Sequence, residues 1–375
     1  MQSQFKKRLA IALAVVMASS VLLLPTVALA RGHGKDHHKK DHFVGAVYVQ
    51  TNEVSNNIAV FLRRADGSLK PGGTVSTGGS GTGSGLGSQG AVILSENGKW
   101  LFAVNAGSND ISVFSVRDKG LKWVDRVPSV GTMPISVAVH DKWVYVLDAG
   151  GSGNIAGFRV DKHGHLSPIA GSVQPLSNLG VGVAPVAEQI GFKPWGGVLV
   201  VTEKSTGMID SYAVNGGVAG PPMVHTSNGA GPYGFDFTNH GKLIVSEAAI
   251  GALSSYNVTP TMFSLISGSV PDFQLAPCWV VCSPDARYAY TSDAHSNDIS
   301  IYKVKANGAL TLGKSAAVTA STPLDLGMPH DGRFLYNLAA GSHNVVAFKV
   351  RDHGMLKSIG SFGTLPASAS GLVSW

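Results

Sequence analysis

The chain has 375 residues, of which 44% are hydrophobic and 14% charged, with 47 glycines and a formal net charge of +6. That balance excludes a disordered chain, which needs more charge and fewer apolar residues, and a coiled coil, which is rich in Glu, Lys and Leu. Glycine at about 13% of the chain, against a usual ~7%, points instead to many short strands joined by tight turns.

Residues 1–30 read as a secretory signal: Lys6, Lys7 and Arg8 precede an apolar run from Leu9 to Leu24, and Ala28-Leu29-Ala30 forms an A-x-A cleavage site. The run is shorter than the ~20 residues a spanning helix needs, so the expectation is a protein exported to the periplasm or beyond, with no membrane span once the signal is removed. Residues 31–42, RGHGKDHHKKDH, form a charged tail whose His33, His37, His38 and His42 are candidate ligands for a divalent metal. Half of the net charge lies in Lys6, Lys7 and Arg8 and more of it in the tail. The body therefore shows no concentrated basic face, and nucleic acid is not expected as a partner.

From residue 43 onward the chain repeats. Units beginning at Gln89, Pro134, Pro185, Pro232, Pro277 and Pro323 recur about every 45–51 residues. Each opens on a short apolar strand and turns at Asn-Gly, Asp-Gly or a relative, as at Asn97-Gly98 and Asp331-Gly332. A second apolar strand, a polar hairpin such as NAGSND (105–110) or DAHSND (293–298), and an alternating third strand such as ISVFSV or ISIYKV follow. The glycine turns suit two-residue hairpins, and alternation at period two marks strands. Aromatic residues recur in the third strands (Phe114, Phe158, Tyr212, Tyr256, Tyr302, Phe348) and read as blade-to-blade packing. The C-terminal SGLVSW has a first strand with nothing after it, and GAVYVQTNEVSNNIAVFLRRADGSLK near residue 45 has later strands with no first one. One repeat is thus split between the two ends. The expected fold is all-β: a seven-bladed β-propeller of four-stranded blades over 43–375, its ring closed by the C-terminal strand joining the N-terminal blade.

Residues 72–90, rich in glycine, read as a flexible connector between the first two blades. Cys278 and Cys282 in PCWVVCSPD would lie roughly 13 Å apart along a strand, too far for a disulfide, and are expected as buried free thiols.

The units CSPDARYAYTSDAHSNDISIYKVKANGALTL (282–312) and PHDGRFLYNLAAGSHNVVAFKVRDHGMLKSIGSF (329–362) resemble the lactonase family of seven-bladed propellers, which includes 6-phosphogluconolactonases and carboxymuconate-lactonising enzymes. The resemblance covers nearly all of 43–375. It implies a site at one mouth of the central channel, built from His and Arg near the start of innermost strands and a Glu after a second strand. Two residues match the Glu element, Glu53 in QTNEVSN and Glu203 in VVTEKSTG. These are the expected catalytic pair. The His/Arg element does not recur: Pro134-Ile135-Ser136, Pro185-Val186-Ala187, Pro232-Tyr233-Gly234, Pro277-Cys278-Trp279 and Pro323-Leu324-Asp325 stand in its place.

Topology gathers the ends of the second strands on one face. The residues there are Glu53, Asn105, Asp148, Glu203, Glu247 and Asp293, with Ala339 breaking the series. Such a ring could hold a divalent cation, bind a sugar or supply a base, or simply satisfy hairpin N–H groups as Asp and Asn commonly do. Glu188 and Asp325 are acidic positions on otherwise apolar innermost strands and are further ligand-binding candidates. Two functions fit this reading. One is hydrolysis of a small sugar lactone or related ester at the acidic mouth, with no certain cofactor beyond a divalent cation there. The other is a non-catalytic propeller that binds a ligand, polymer or protein outside the cytoplasm; a monomer is expected in either case.

Overall fold

The computed structural model describes residues 42–118, 120–182 and 184–375. The expected signal (1–30) and the tail histidines His33, His37 and His38 lie outside the described residues. Seven antiparallel sheets follow one another along the chain as the blades of a propeller. Blade 2 shows the pattern: Val92–Leu94, Trp100–Asn105, Asp110–Arg117 and Gly120–Pro128 pair in sequence order from the innermost strand outward. Blades 5, 6 and 7 begin at Pro232, Pro277 and Pro323 and repeat it. In blades 3 and 4 the outermost strand is split. Leu166–Pro168 and Gln174–Pro175 both pair with Asn154–Val160, and Val218–Ala219 and Met223–Thr226 both pair with Met208–Asn215.

Blade 1 draws its strands from both ends of the described chain. Phe43–Gln50, Asn57–Arg64 and Leu69–Ser76 are joined by Leu372–Ser374, with Val47 opposite Ser374 and Val49 opposite Leu372. The backbone N–H of Trp375 adds a bond to the Ala46 carbonyl (2.8 Å). The split repeat thereby closes the ring and leaves no open edge between the first and last blades.

The core is divided among the gaps between blades. Seven apolar clusters each draw on two neighbouring blades; Phe102 and Ile111 of blade 2, for example, pack on Val146 and Phe158 of blade 3. The third-strand aromatics Phe114, Phe158, Tyr212, Tyr256, Tyr302 and Phe348 are all buried there. Glycine in the outer hairpin turns lets neighbours approach. Gly354 of blade 7 has φ +74, and a Cβ there would lie 2.6 Å from the Tyr288 ring of blade 6. Tyr290 donates to the carbonyl of the same Gly354 at 3.0 Å. Positive φ and close approach together require glycine at that position.

Cys278 and Cys282 are buried free thiols, as strand spacing requires. Among the described residues no helix is long and apolar enough to cross a membrane.

Candidate functional site

The starts of the innermost strands and the ends of the second strands meet at one end of the channel, as the pairings Pro134–Asp148, Ala187–Glu203, Pro232–Glu247 and Pro277–Asp293 show. Asn105, Asp148, Glu203, Glu247 and Asp293 do occupy equivalent places there, but all five are buried. Glu203 accepts from the Ser177 N–H (3.0 Å), the Ser177 hydroxyl and the Thr206 hydroxyl (2.6 Å). Glu247 accepts from the Gly229 N–H (2.7 Å) and from Ser254 and Ser269 (2.5 and 2.6 Å). Ser129 donates to Asp148 and Ser300 to Asp293, each at 2.6 Å. Asn56 donates to Asn105, which in turn donates to Asp110 and Ser112. These side chains fasten hairpins and connections to the blades. The open acidic ring expected from the sequence is therefore replaced by a set of internal clamps, because the strand ends turn these groups toward hydroxyl, amide and backbone donors inside the fold rather than into the channel.

Glu53 stands apart from this set. It is exposed in the loop after Phe43–Gln50, and the buried position that pairs with the start of the next strand is Thr51, whose N–H donates to Asn57. His42 is exposed at the start of the described segment. Among the described residues no group of three or more His, Cys, Asp and Glu side chains is placed to hold a metal ion.

Burial shifts three aspartates at this end. Asp148 is raised to about 7 by burial, partly offset by Ser129 and Asn154. Asp210 beside Glu203 is raised to about 8, by burial first and by the Glu203 charge second. Asp293 is pushed upward by burial and then by the Asp272 charge.

The innermost strands carry a second set of clamps. Ser136 donates to the Gln89 carbonyl (2.7 Å) and accepts from the Ile190 N–H (3.2 Å). Gln189 bonds both the carbonyl and the N–H of Phe235, and Asp236 accepts from the Cys282 N–H at 2.7 Å. Asp325 accepts from the Gly371 N–H at 3.1 Å. Each links one blade to the innermost backbone of a neighbour. Asp325, expected to face a ligand, is buried and serves closure instead.

The glycine-rich connector is also more than a spacer. Residues 72–76 continue a strand of blade 1, and the segment from Leu86 to Gln89 bonds residues of five blades. The Leu86 N–H donates to Ser370, Ser88 to the Ile135 carbonyl and the Gln89 N–H to the Glu188 carbonyl. Gln89 also bonds both backbone groups of Val280, and the Trp279 indole donates to the Ser88 carbonyl at 3.0 Å. The Tyr233 hydroxyl donates to the Gly87 carbonyl. The connector thus plugs the channel, fixed by partners that a local reading of its composition could not reveal.

Beside the plug a cavity of about 250 Å³ remains. Its polar side chains are Glu188, Lys204 and Tyr233, and Leu86, Met133, Ile135, Ala149 and the segment from Ala184 to Ala187 supply the apolar wall. Glu188 sits where the pairing register shifts between Ala187 and Gln189, a bulge that re-aims its side chain. Burial raises its carboxyl to about 8, against the opposing pull of the Lys204 charge. The Lys204 ammonium lies 5.1 Å from the centre of the Tyr233 ring, which packs edge-on against Trp279. Cys278 adjoins the group, its thiol pushed up to about 12 by burial, and is a poor nucleophile there. Glu188 is the sequence candidate that the structure leaves in a cavity. Lys204 was missed, and its only signal was its place directly after Glu203 at a strand end. Larger grooves lie at the opposite end of the blades, between turns such as those of Arg287 and Arg351, and are open surface features.

The profile of the family described as "Lactonase, 7-bladed beta-propeller" matches residues 18–181 and 183–370. No curated protein sequence matches the chain. Among solved structures, the periplasmic gluconolactonase of Pseudomonas aeruginosa is similar at a TM-score of 0.70 and 18% identity, over 88% of this chain and 98% of that one. A Bacteroides fragilis protein provisionally named a 6-phosphogluconolactonase is similar at a TM-score of 0.70 and 19% identity, over 88% and 98%. A streptogramin B lyase is more distant, at a TM-score of 0.54 and 14% identity, over 76% and 87%. At these identities the structures share the fold.

Proposed function

The chain belongs to the lactonase family of seven-bladed β-propellers, and we propose that it hydrolyses a small lactone or related ester in the cavity formed by Glu188, Lys204 and Tyr233. The observation that supports this most is a buried carboxyl of raised pKa beside a single ammonium in the mouth of the channel. In its ionised form Glu188 takes a proton from water, and the resulting hydroxide attacks the lactone carbonyl. Lys204 faces the developing oxyanion, and the ring C–O bond then breaks. Protonated Glu188 returns its proton to the leaving alkoxide, which yields the open hydroxy acid and restores the carboxylate. Water is the only co-reactant.

The reading assigns the catalytic role to Glu188 in place of Glu203 and Glu53, since Glu203 already accepts three hydrogen bonds and Glu53 faces solvent. Export, read from residues 1–30, accords with an unphosphorylated substrate, as does a cavity with one cation.

The test is hydrolysis of a lactone panel by residues 31–375, with Glu188→Gln and Lys204→Ala. A base that must be ionised makes the rate rise with pH and level off above about 8. Glu188→Gln should lower kcat by about 10²-fold or more and abolish that rise. A rate that survives Glu188→Gln unchanged would refute the assignment. A folded protein inactive across the panel would favour the non-catalytic binding propeller.

A further inference from the structure

We infer that the cavity takes a lactone bearing an aliphatic chain rather than a polyhydroxylated sugar ring; this rests on the proposed reading of the same site. A sugar lactone carries a hydroxyl on nearly every ring carbon, and each one desolvated without a partner opposes binding. Only Glu188, Lys204 and Tyr233 offer polar side-chain atoms in the wall, and the Tyr233 proton is already given to Gly87. The remaining side chains of the wall are apolar: Leu86, Met133, Ile135, Pro185 and Val186 together with alanines.

Part of the wall is itself exposed apolar surface. Met133 and Val186 line the cavity yet are 42% and 52% exposed, so they reach from its interior to its rim. The connection that ends in Ala184–Val186 also carries Leu179 and Val181, which are 66% and 77% exposed. Val130, beside Met133 in the preceding connection, is 48% exposed. Large apolar side chains are thus left in water in the two connections that build one side of the cavity, and exposed side chains of that size gain by being covered. The polar head of the ligand meets Glu188 and Lys204, and its chain lies along Met133, Val186 and the exposed side chains beyond.

The experiment compares kcat/KM for γ-lactones whose side chain grows from methyl to octyl, with gluconolactone alongside. In parallel, calorimetry measures binding of the matching lactams, which report affinity without ring opening. Each added methylene should raise kcat/KM and lactam affinity about three- to fourfold until the chain outgrows the surface. Leu179→Asp with Val181→Asp, both at exposed positions, should flatten both slopes. Lactams that bind more tightly with chain length while no lactone is hydrolysed would sustain the ligand class and refute the hydrolase. Affinity and rate indifferent to chain length, or gluconolactone preferred over every alkyl lactone, would overturn the inference whether or not hydrolysis occurs.

Discussion

Replacing Asp325 by Asn tests whether the innermost strands are held by uncharged carboxyl groups. Asp325 is buried on the innermost strand of blade 7 and accepts from the Gly371 N–H, directly before the ring-closing strand Leu372–Ser374. Burial raises its carboxyl from 3.8 to about 7, even though backbone N–H groups including Gly371 and Gly90 pull the other way. The folded chain therefore keeps this proton after the unfolded chain has released it. The stabilisation is complete below about pH 4, falls as pH rises, and is gone once pH passes about 7. At about 1.4 kcal/mol per pKa unit, the wild type loses up to about 4 kcal/mol across that window through this one group. Asn keeps the acceptor for Gly371 and has no proton to lose. Relative to wild type, Asp325→Asn should gain about 2–4 kcal/mol between pH 4.5 and pH 8, or roughly 4–8 °C in Tm at about 2 °C per kcal/mol for a domain of this size. Urea melts at pH 4.5, 6 and 8 measure this, and the other buried carboxyls cancel because both proteins carry them. A difference between the two proteins that stays constant with pH, or that moves against the variant as pH rises, would refute the reasoning.

Glu203→Ala should destabilise the protein by about 2–3 kcal/mol in urea unfolding, because Ser177 and Thr206 lose a shared charged acceptor inside the fold. Gly87→Val places a β-branched side chain at φ +70, with its Cβ 3.3 Å from the Tyr233 hydroxyl. A cost of about 1–3 kcal/mol is expected, with a shift in tryptophan emission as Trp279 loses its hold on Ser88. Cys278 and Cys282 should resist a thiol reagent in the native protein and react together in denaturant; prompt native labelling would contradict their burial.

Much of the architecture was legible before any coordinates. Period-two alternation marks a strand wherever one side of it is buried, and glycine at a hairpin serves a local φ requirement. Both are properties of a few adjacent residues. The split repeat was equally plain, because a first strand without a blade at one end of the chain answers a blade without a first strand at the other. Third-strand aromatics such as Phe158 and Tyr302 could be assigned to packing between blades on the same grounds.

The site was not legible in that way. Glu203 and Glu188 are both acidic residues near strand ends, and nothing within a few residues of either shows which of them faces a cavity. What separates them is that Ser177, from another connection, reaches Glu203, whereas a bulge leaves Glu188 facing a cavity beside Lys204. The glycine-rich connector was read as slack because its partners are remote: Gly87 meets Tyr233 at a separation of 146 residues, and Gln89 meets Val280 at 191. Period and turn chemistry are local and determined the ring. Whether a polar group ends as a clamp, a plug or a reactive carboxyl depends on which distant donors fill the space around it, and only the closed ring brings those donors into place.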